Sequence, residues 1–270
     1  MKVAVLLFGQ PRDAINCSKS IVNNIINPNN VDVFFHTWYD ENDLYMEKGE
    51  KDRSNCELGK GIDKQLIDIY KPKSYCIEPQ KFNNFNNYDN DYFKCPEKYI
   101  DNISKCGKNK ELTKEEVKLR CIKYSHISQF YSIFKANMLK EEYSLEHNIY
   151  YDYVIKIRFD VICNNLIVIN NSIPNDTLLF QNIGQPDQLV SDWFHISSNE
   201  IMNIVCSLFL KLKYLNNTKG YLKQSDRLPI TLWETNTNTM GPEVFIRDYL
   251  YLHKIPWKGI NFNIKLSKNT

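Results

Sequence analysis

The residues with the clearest capacity for chemistry are Arg158 and Asp160 in IKIRFDV, where an apolar run turns polar. Side chains two apart on a strand point the same way, so a guanidinium and a carboxylate would meet at the strand's mouth. Such a pair can hold a diphosphate, the guanidinium directly and the carboxylate through a divalent ion. The same spacing also suits an ordinary ion pair or a turn-capping acid, and the pattern leaves both open. Asp192 in VSDWFHIS interrupts another apolar run, where an acid is costly unless it is paired, solvated in a cleft or used in an Asx-type turn. Glu243 in MGPEVF follows a proline suited to the first helical position; it could act as a base or only complement the helix dipole. Gly9 and Gln10, just after VAVLLF, would let a ligand approach the backbone, with Arg12 adding charge beside them.

Several other chemistries lack their residues. There is no G-x-G-x-x-G and no G-x-x-x-x-G-K-[ST], so dinucleotide and P-loop phosphate sites lose their main support. The 5 His include no H-E-x-x-H, and His36 and His195 read as strand-end or core histidines. No serine sits in a nucleophile elbow. The 8 Cys form no C-x-x-C pair, which favours reduced thiols over a zinc knuckle or redox pair. A net charge of +2 offers no bulk field for a nucleic acid or an anionic membrane, so neither is an expected partner. The best apolar stretch, IVCSLFLKL, falls short of the ~20 residues of a membrane span, and VAVLLF is too short for a signal peptide. The expectation is a soluble, cytoplasmic protein.

Elements must position these groups, and the pattern supplies them. Lys2 to Phe8 reads as a buried strand, followed by a helix with Ile15, Ile21, Val22, Ile25 and Ile26 on one face, closed by Asn27-Pro28. Val31 to His36 is the next strand, completing a βαβ unit. From Asp40 to Leu112 the chain turns rich in Asn, Asp, Lys and Tyr, and reads as an irregular insertion with one short helix, 64–70, and one strand, 74–78. Thr113 with Glu116 forms a capping-box pattern, and Ser125 to Glu142 carries helical spacing. Asp152 to Asp160, Thr177 to Phe180 and Leu189 to Ile196 read as strands. Ser197 with Glu200 would cap a helix running to Leu212, and Pro242 would open another to about His253. The 43% hydrophobic content suffices for one substantial core. Alternating strands and helices make an α/β domain with a mixed sheet, in which ligands lie beyond the carboxyl ends of the strands.

Taken in order, LLFGQPR, DVFFHTWYD, SQFYSIFKAN, YDYVIKIRFDV, SDWFHISSNE and GPEVFIRDYL resemble GT-A-type glycosyltransferases of the WavE lipopolysaccharide-synthesis sort and related large-DNA-virus proteins. The likeness spans most of the chain except the middle segment and the C-terminal end. It implies a GT-A-like (Rossmann-like) mixed, mostly parallel sheet flanked by helices, forming a single catalytic domain over 1–270 with the insertion at 40–112. It implies transfer of a hexosyl or deoxyhexosyl group from a nucleotide-sugar to a glycan or other hydroxyl acceptor; for a viral protein the compartment would be the host cytoplasm. The resemblance makes Asp160 the acid that binds Mn2+ or Mg2+, with Arg158 in the first place of a D-x-D element, where an arginine cannot ligate metal. It places Phe8, Gly9, Gln10, Arg12, His36, Trp38, Arg158 and Asp160 on the nucleotide-binding side, and Asp192 and Glu243 on the acceptor side. Transfer with inversion needs a carboxylate to take the acceptor proton, for which Asp192 is the expectation and Glu243 its rival. The broken motif leaves room for a non-catalytic nucleotide-sugar or glycan-binding protein on the same scaffold, and for a phosphoryl- or nucleotidyl-transferase working through Asp160.

Overall fold

The structure is a computed structural model that describes residues 1–42, 45–46, 56–80, 122–184, 189–212 and 242–267. An unbroken apolar run can lie only where both faces of a sheet are covered, and Val3–Gly9 (β1) takes that central place. Its neighbours are β2 (Asp32–Trp38) on one side and β6 (Tyr153–Arg158) on the other, both parallel to it. Beyond β2 lies β5 (Ser74–Glu78), also parallel. Beyond β6 come β9 (Phe194–Ser198), β8 (Leu178–Gln181) and β10 (Trp257–Ile260), giving the order β10-β8-β9-β6-β1-β2-β5. β9 pairs antiparallel with β6 and β8, while β10 is parallel to β8, so β9 alone runs against the rest. Small antiparallel pairs join β3 (Tyr45–Met46) to β4 (Cys56–Glu57) and β7 (Val161–Cys163) to β11 (Ile264–Leu266).

Strand alternation assigns the two faces. Phe8, His36 and Arg158 follow one register line, and Cys76 and Glu78 of β5 share their face. Helix α3 (Ile122–His147) covers that face, setting Ser132 against His36 and Tyr143 against Phe34. Helix α4 (Asn199–Cys206) packs beside α3. On the opposite face Phe35 meets Phe159, which also touches Tyr70 at the end of α2 (Ile62–Tyr70). Helix α1 (Ala14–Ile21) packs against α2 and β7, then continues through a π-type turn, Val22–Ile26, to Asn30 in the left-handed region at φ 48°. Helix α5 (Pro242–Leu252) opens on its proline as the sequence leads one to expect, and Phe245 packs on Phe130 of α3. The result is a mixed, mostly parallel sheet flanked by helices.

Three expectations need correction. The stretch 58–80 is no excursion from the sheet: Leu58, Ile62, Leu66 and Tyr70 are buried in the common core, and β5 is an edge strand of the main sheet. The remainder of the supposed insertion at 43–44, 47–55 and 81–112, together with the Thr113–Glu116 cap, lies outside the described residues. The residue before α4 is Ser198, with extended backbone, and the helix tightens into a 3-10 turn at Ser207–Lys211 instead of running evenly to Leu212. The strand expected over Leu189 to Ile196, with an interruption at Ser191-Asp192, is regular only from Phe194 and runs on to Ser198. Among the described residues no helix is long and apolar enough to cross a membrane.

Candidate functional site

Around β1 the chain reverses its direction of winding: β2 and β5 lie to one side and β6 to the other. Connections from neighbouring strands then leave in opposite directions, and it is at the carboxyl ends beside such a point that ligands of open α/β sheets are expected. β1 delivers Gly9, Gln10 and Arg12 to this edge of the sheet. Gly9 has φ +98°, which a side chain would strain. Its N–H donates to Ser132 Oγ at 2.7 Å and its carbonyl accepts from Thr37 Oγ1 at 2.9 Å, so the turn is fastened to both α3 and β2. Beyond it, Arg12 Nε donates to Gln10 Oε1 at 3.1 Å and Gln10 Nε2 to Gln80 Oε1 at 2.6 Å. Gln80 Nε2 in turn donates to Ser128 Oγ at 2.7 Å.

β6 delivers Arg158 and, past its end, Asp160. Arg158 grips Asp160 with two parallel bonds, Nε to Oδ1 at 2.9 Å and Nη2 to Oδ2 at 2.6 Å. Arg12 Nη1 reaches the same Oδ2 at 3.4 Å from the other side. Asp160 is only 7% exposed. Burial opposes its charge, but the guanidiniums of Arg158 and Arg12 outweigh that and hold its carboxyl below the usual range.

Asp192 completes the group from β9, whose reversed direction brings its leading end to the same edge. Asp192 Oδ2 accepts from Gln129 Nε2 at 2.5 Å and lies 4.0 Å from Arg158 Nη1. Its backbone carbonyl accepts from Lys156 Nζ at 2.8 Å, and the Trp193 carbonyl accepts from the Arg158 N–H at 3.0 Å. Lys156 is wholly enclosed, with Nζ 4.8 Å from the centre of the Phe8 ring, and burial lowers its pKa to about 8. Glu243, half-buried in the first turn of α5, acts electrostatically on Arg158.

The structure thus brings Gln10, Arg12, Arg158, Asp160 and Asp192 together, with Glu243 in electrostatic reach. Phe8, His36 and Trp38 stand differently from the expectation that they meet a nucleotide. All three side chains are buried: Phe8 under Lys156, His36 between Ser132 and Glu78, Trp38 stacked on Tyr131. They belong to the packed layer between the sheet and α3. A divalent ion on Asp160 fits poorly, because both carboxylate oxygens already accept from guanidiniums and the ion would sit against two positive charges. Arginine cannot be deprotonated to make room for it.

Gln129, Ser132, Glu78, Gln80 and Lys156 escaped the sequence reading. Lys156 left a signal, a lysine inside an apolar strand two residues before Arg158 and therefore on its face. The others left none, since only the crossing of α3 over β1, β2 and β5 gives them partners. A separate cavity of about 410 Å³, between 165–174 and strands β8 and β10, has Lys258 as its one charged lining residue and is less furnished for chemistry.

No family model and no curated protein matches the chain. Among solved structures it is similar to the crystal structure of a glycosyltransferase involved in the glycosylation of the major capsid of PBCV-1. The two share 12% identity and a TM-score of 0.36, over 96% of this chain and 81% of that one. The likeness is distant by both measures.

Proposed function

We propose that this chain is a glycosyltransferase that moves a sugar from a nucleotide-diphosphate sugar to a hydroxyl of a glycan or glycoconjugate, with its donor site at the carboxyl ends of β1 and β6. The observation that carries this reading is the convergence of Arg12 and Arg158 on one edge of the sheet, with the acid Asp192 beside them. The order of sequence motifs described above supports it as well.

In the proposed reaction the bond between the anomeric carbon and the diphosphate oxygen breaks, and its electron pair leaves on that oxygen. Arg12 and Arg158, oriented by Asp160, stabilise the charge as it develops. With inversion, the acceptor oxygen attacks the anomeric carbon and gives its proton to the Asp192 carboxylate, which Gln129 holds directly while Lys156 anchors the Asp192 backbone carbonyl. Glu243 is the alternative base. No step is assigned to a metal on Asp160.

Incubation with UDP-, GDP- and TDP-sugars and a panel of glycan acceptors, following free nucleotide, tests the proposal. Release that depends on Arg158 supports it. Binding without turnover favours a non-catalytic nucleotide-sugar-binding or glycan-binding protein, a reading to which the fully engaged carboxylate of Asp160 lends weight. Neither binding nor release overturns both.

A further inference from the structure

Away from Asp160, three side chains of metal-ligating type meet at the ends of β2 and β5. His36 and Cys76 are direct register partners, and Glu78 follows Cys76 by two residues, so all three project from one face. His36 Nε2 lies 2.8 Å from Glu78 Oε1, and the three potential ligand atoms lie within 4.8 Å of one another. A tetrahedral zinc ion with bonds of about 2.0–2.3 Å needs its ligand atoms roughly 3.3–3.6 Å apart. Reaching that spacing means parting His36 from Glu78 by roughly half an ångström and drawing in pairs that stand up to 4.8 Å apart by about an ångström, which Cys76 and Glu78, at the sheet edge and partly exposed, can do without moving the strands.

The support around the cluster matches what a ligating histidine requires. Ser132 Oγ accepts the Gly9 N–H, lies 2.8 Å from His36 Nδ1, and lies 3.2 Å from the His36 carbonyl. With its hydroxyl proton on that carbonyl, the serine oxygen can accept Nδ1–H, which fixes the tautomer whose Nε2 lone pair faces Cys76 and Glu78. With the proton turned to Nδ1 instead, His36 donates from Nε2 to Glu78. One hydroxyl rotation therefore serves both an ion-bound and an ion-free imidazole. Tyr131 hydrogen-bonds Glu78 from α3, and Lys135 adds a nearby positive charge. A thiolate and a carboxylate together neutralise a divalent ion, so the lysine does not have to leave.

We propose that His36 Nε2, Cys76 Sγ and a Glu78 carboxylate oxygen form a three-ligand site for a zinc-class divalent ion, with a fourth position open to solvent. A thiolate with an imidazole selects Zn2+ or Co2+ over the hard ions Mg2+ and Mn2+. The site shares Ser132 with the Gly9 turn but uses none of the groups assigned to the donor's diphosphate, and binding releases the Cys76 proton.

The full chain, stripped of metal, is titrated with Co2+ and read for thiolate-to-cobalt absorption and for the strong visible bands of a tetrahedral ion. One equivalent should give both, Zn2+ should displace it, and excess Mg2+ should not. Cys76→Ser should abolish the thiolate band, and Glu78→Gln should weaken binding at least ~10-fold, with folding checked by circular dichroism. On the unaltered protein, maleimide labelling mapped by mass spectrometry should show Cys76 protected by Zn2+. Absence of a one-equivalent thiolate band, its survival in a folded Cys76→Ser variant, or equal Cys76 labelling with and without Zn2+ would overturn the proposal.

Discussion

Replacing Asp160 by asparagine separates the two chemistries that this acid could serve. Asp160 is buried and accepts charge-assisted bonds from Arg158 at 2.6 and 2.9 Å and from Arg12 at 3.4 Å. A pair of unit charges 3.4 Å apart attract by ~5 kcal/mol at an effective dielectric of about 20. Recovery of the carboxylate's own desolvation offsets part of this, and breaking one side of a buried pair leaves a net loss of about 3 kcal/mol. For a chain of this size that is a fall in Tm of about 6–12 °C. Because the folded pKa is depressed, the stabilisation is present above the unfolded value near ~3.9 and is lost as pH falls through the folded one. The gap between wild type and Asp160→Asn should therefore be full at pH 7 and close in acid. Donor binding, measured well below Tm with UDP or inorganic pyrophosphate, should hold or tighten, since two guanidiniums lose their competitor, and added Mn2+ should not alter it. Equal stability at pH 7, or a gap that stays constant into acid, would refute the described ion pair. Binding that collapses together with a Mn2+ effect would refute the guanidinium grip and restore Asp160 as a metal ligand.

Three further outcomes follow from the same geometry. Lys156 has a folded pKa of about 8 against 10.5 in a solvated lysine, so between these values the unfolded chain binds a proton that the folded one lacks and stability rises with pH. Urea midpoints of wild type should thus gain on Lys156→Met from pH 8 to 10, by up to ~3 kcal/mol; a constant difference would contradict the enclosure of that ammonium. Asp192→Asn should leave donor affinity unchanged and lower transfer by ~10²–10⁴-fold, and an unchanged rate would move the base role to Glu243. Leu66→Ala should cost about 2–5 kcal/mol in denaturant unfolding, because Leu66 is 0% exposed in the common core; a loss well below that would return 58–80 to the status of an appendage.

The central strands were readable because their apolar runs are long and their ends turn polar, and the edge bearing Arg12 and Arg158 follows from that pattern; Asp192 joins it only because β9 runs antiparallel, which no local pattern announces. The strand at 74–78 was legible with its bounds, but not its place, because a local window cannot tell an edge of the main sheet from an isolated strand. Asp192 could be suspected from its interruption of an apolar run, but not its anchors: Gln129 is 63 positions away and Lys156 is 36. Phe8, His36 and Trp38 lie at the right strand ends, yet their burial depends on α3 crossing above them, which no spacing announces. Whether Arg158 and Asp160 face a ligand or each other was likewise beyond the pattern, since both arrangements use the same alternation.

β9's reversal has a bearing on how this site could change over generations. In a wholly parallel sheet only segments departing from strands furnish the working edge; here an arriving segment contributes too. Asp192 is moored at its carboxylate by Gln129, at its own carbonyl by Lys156 and one residue later by the Arg158 N–H. Because Val190 and Ser191 just before it are fully buried, a change in the arriving segment has to fall further upstream to leave that mooring intact. Substrate preference could drift there while the acid kept its berth.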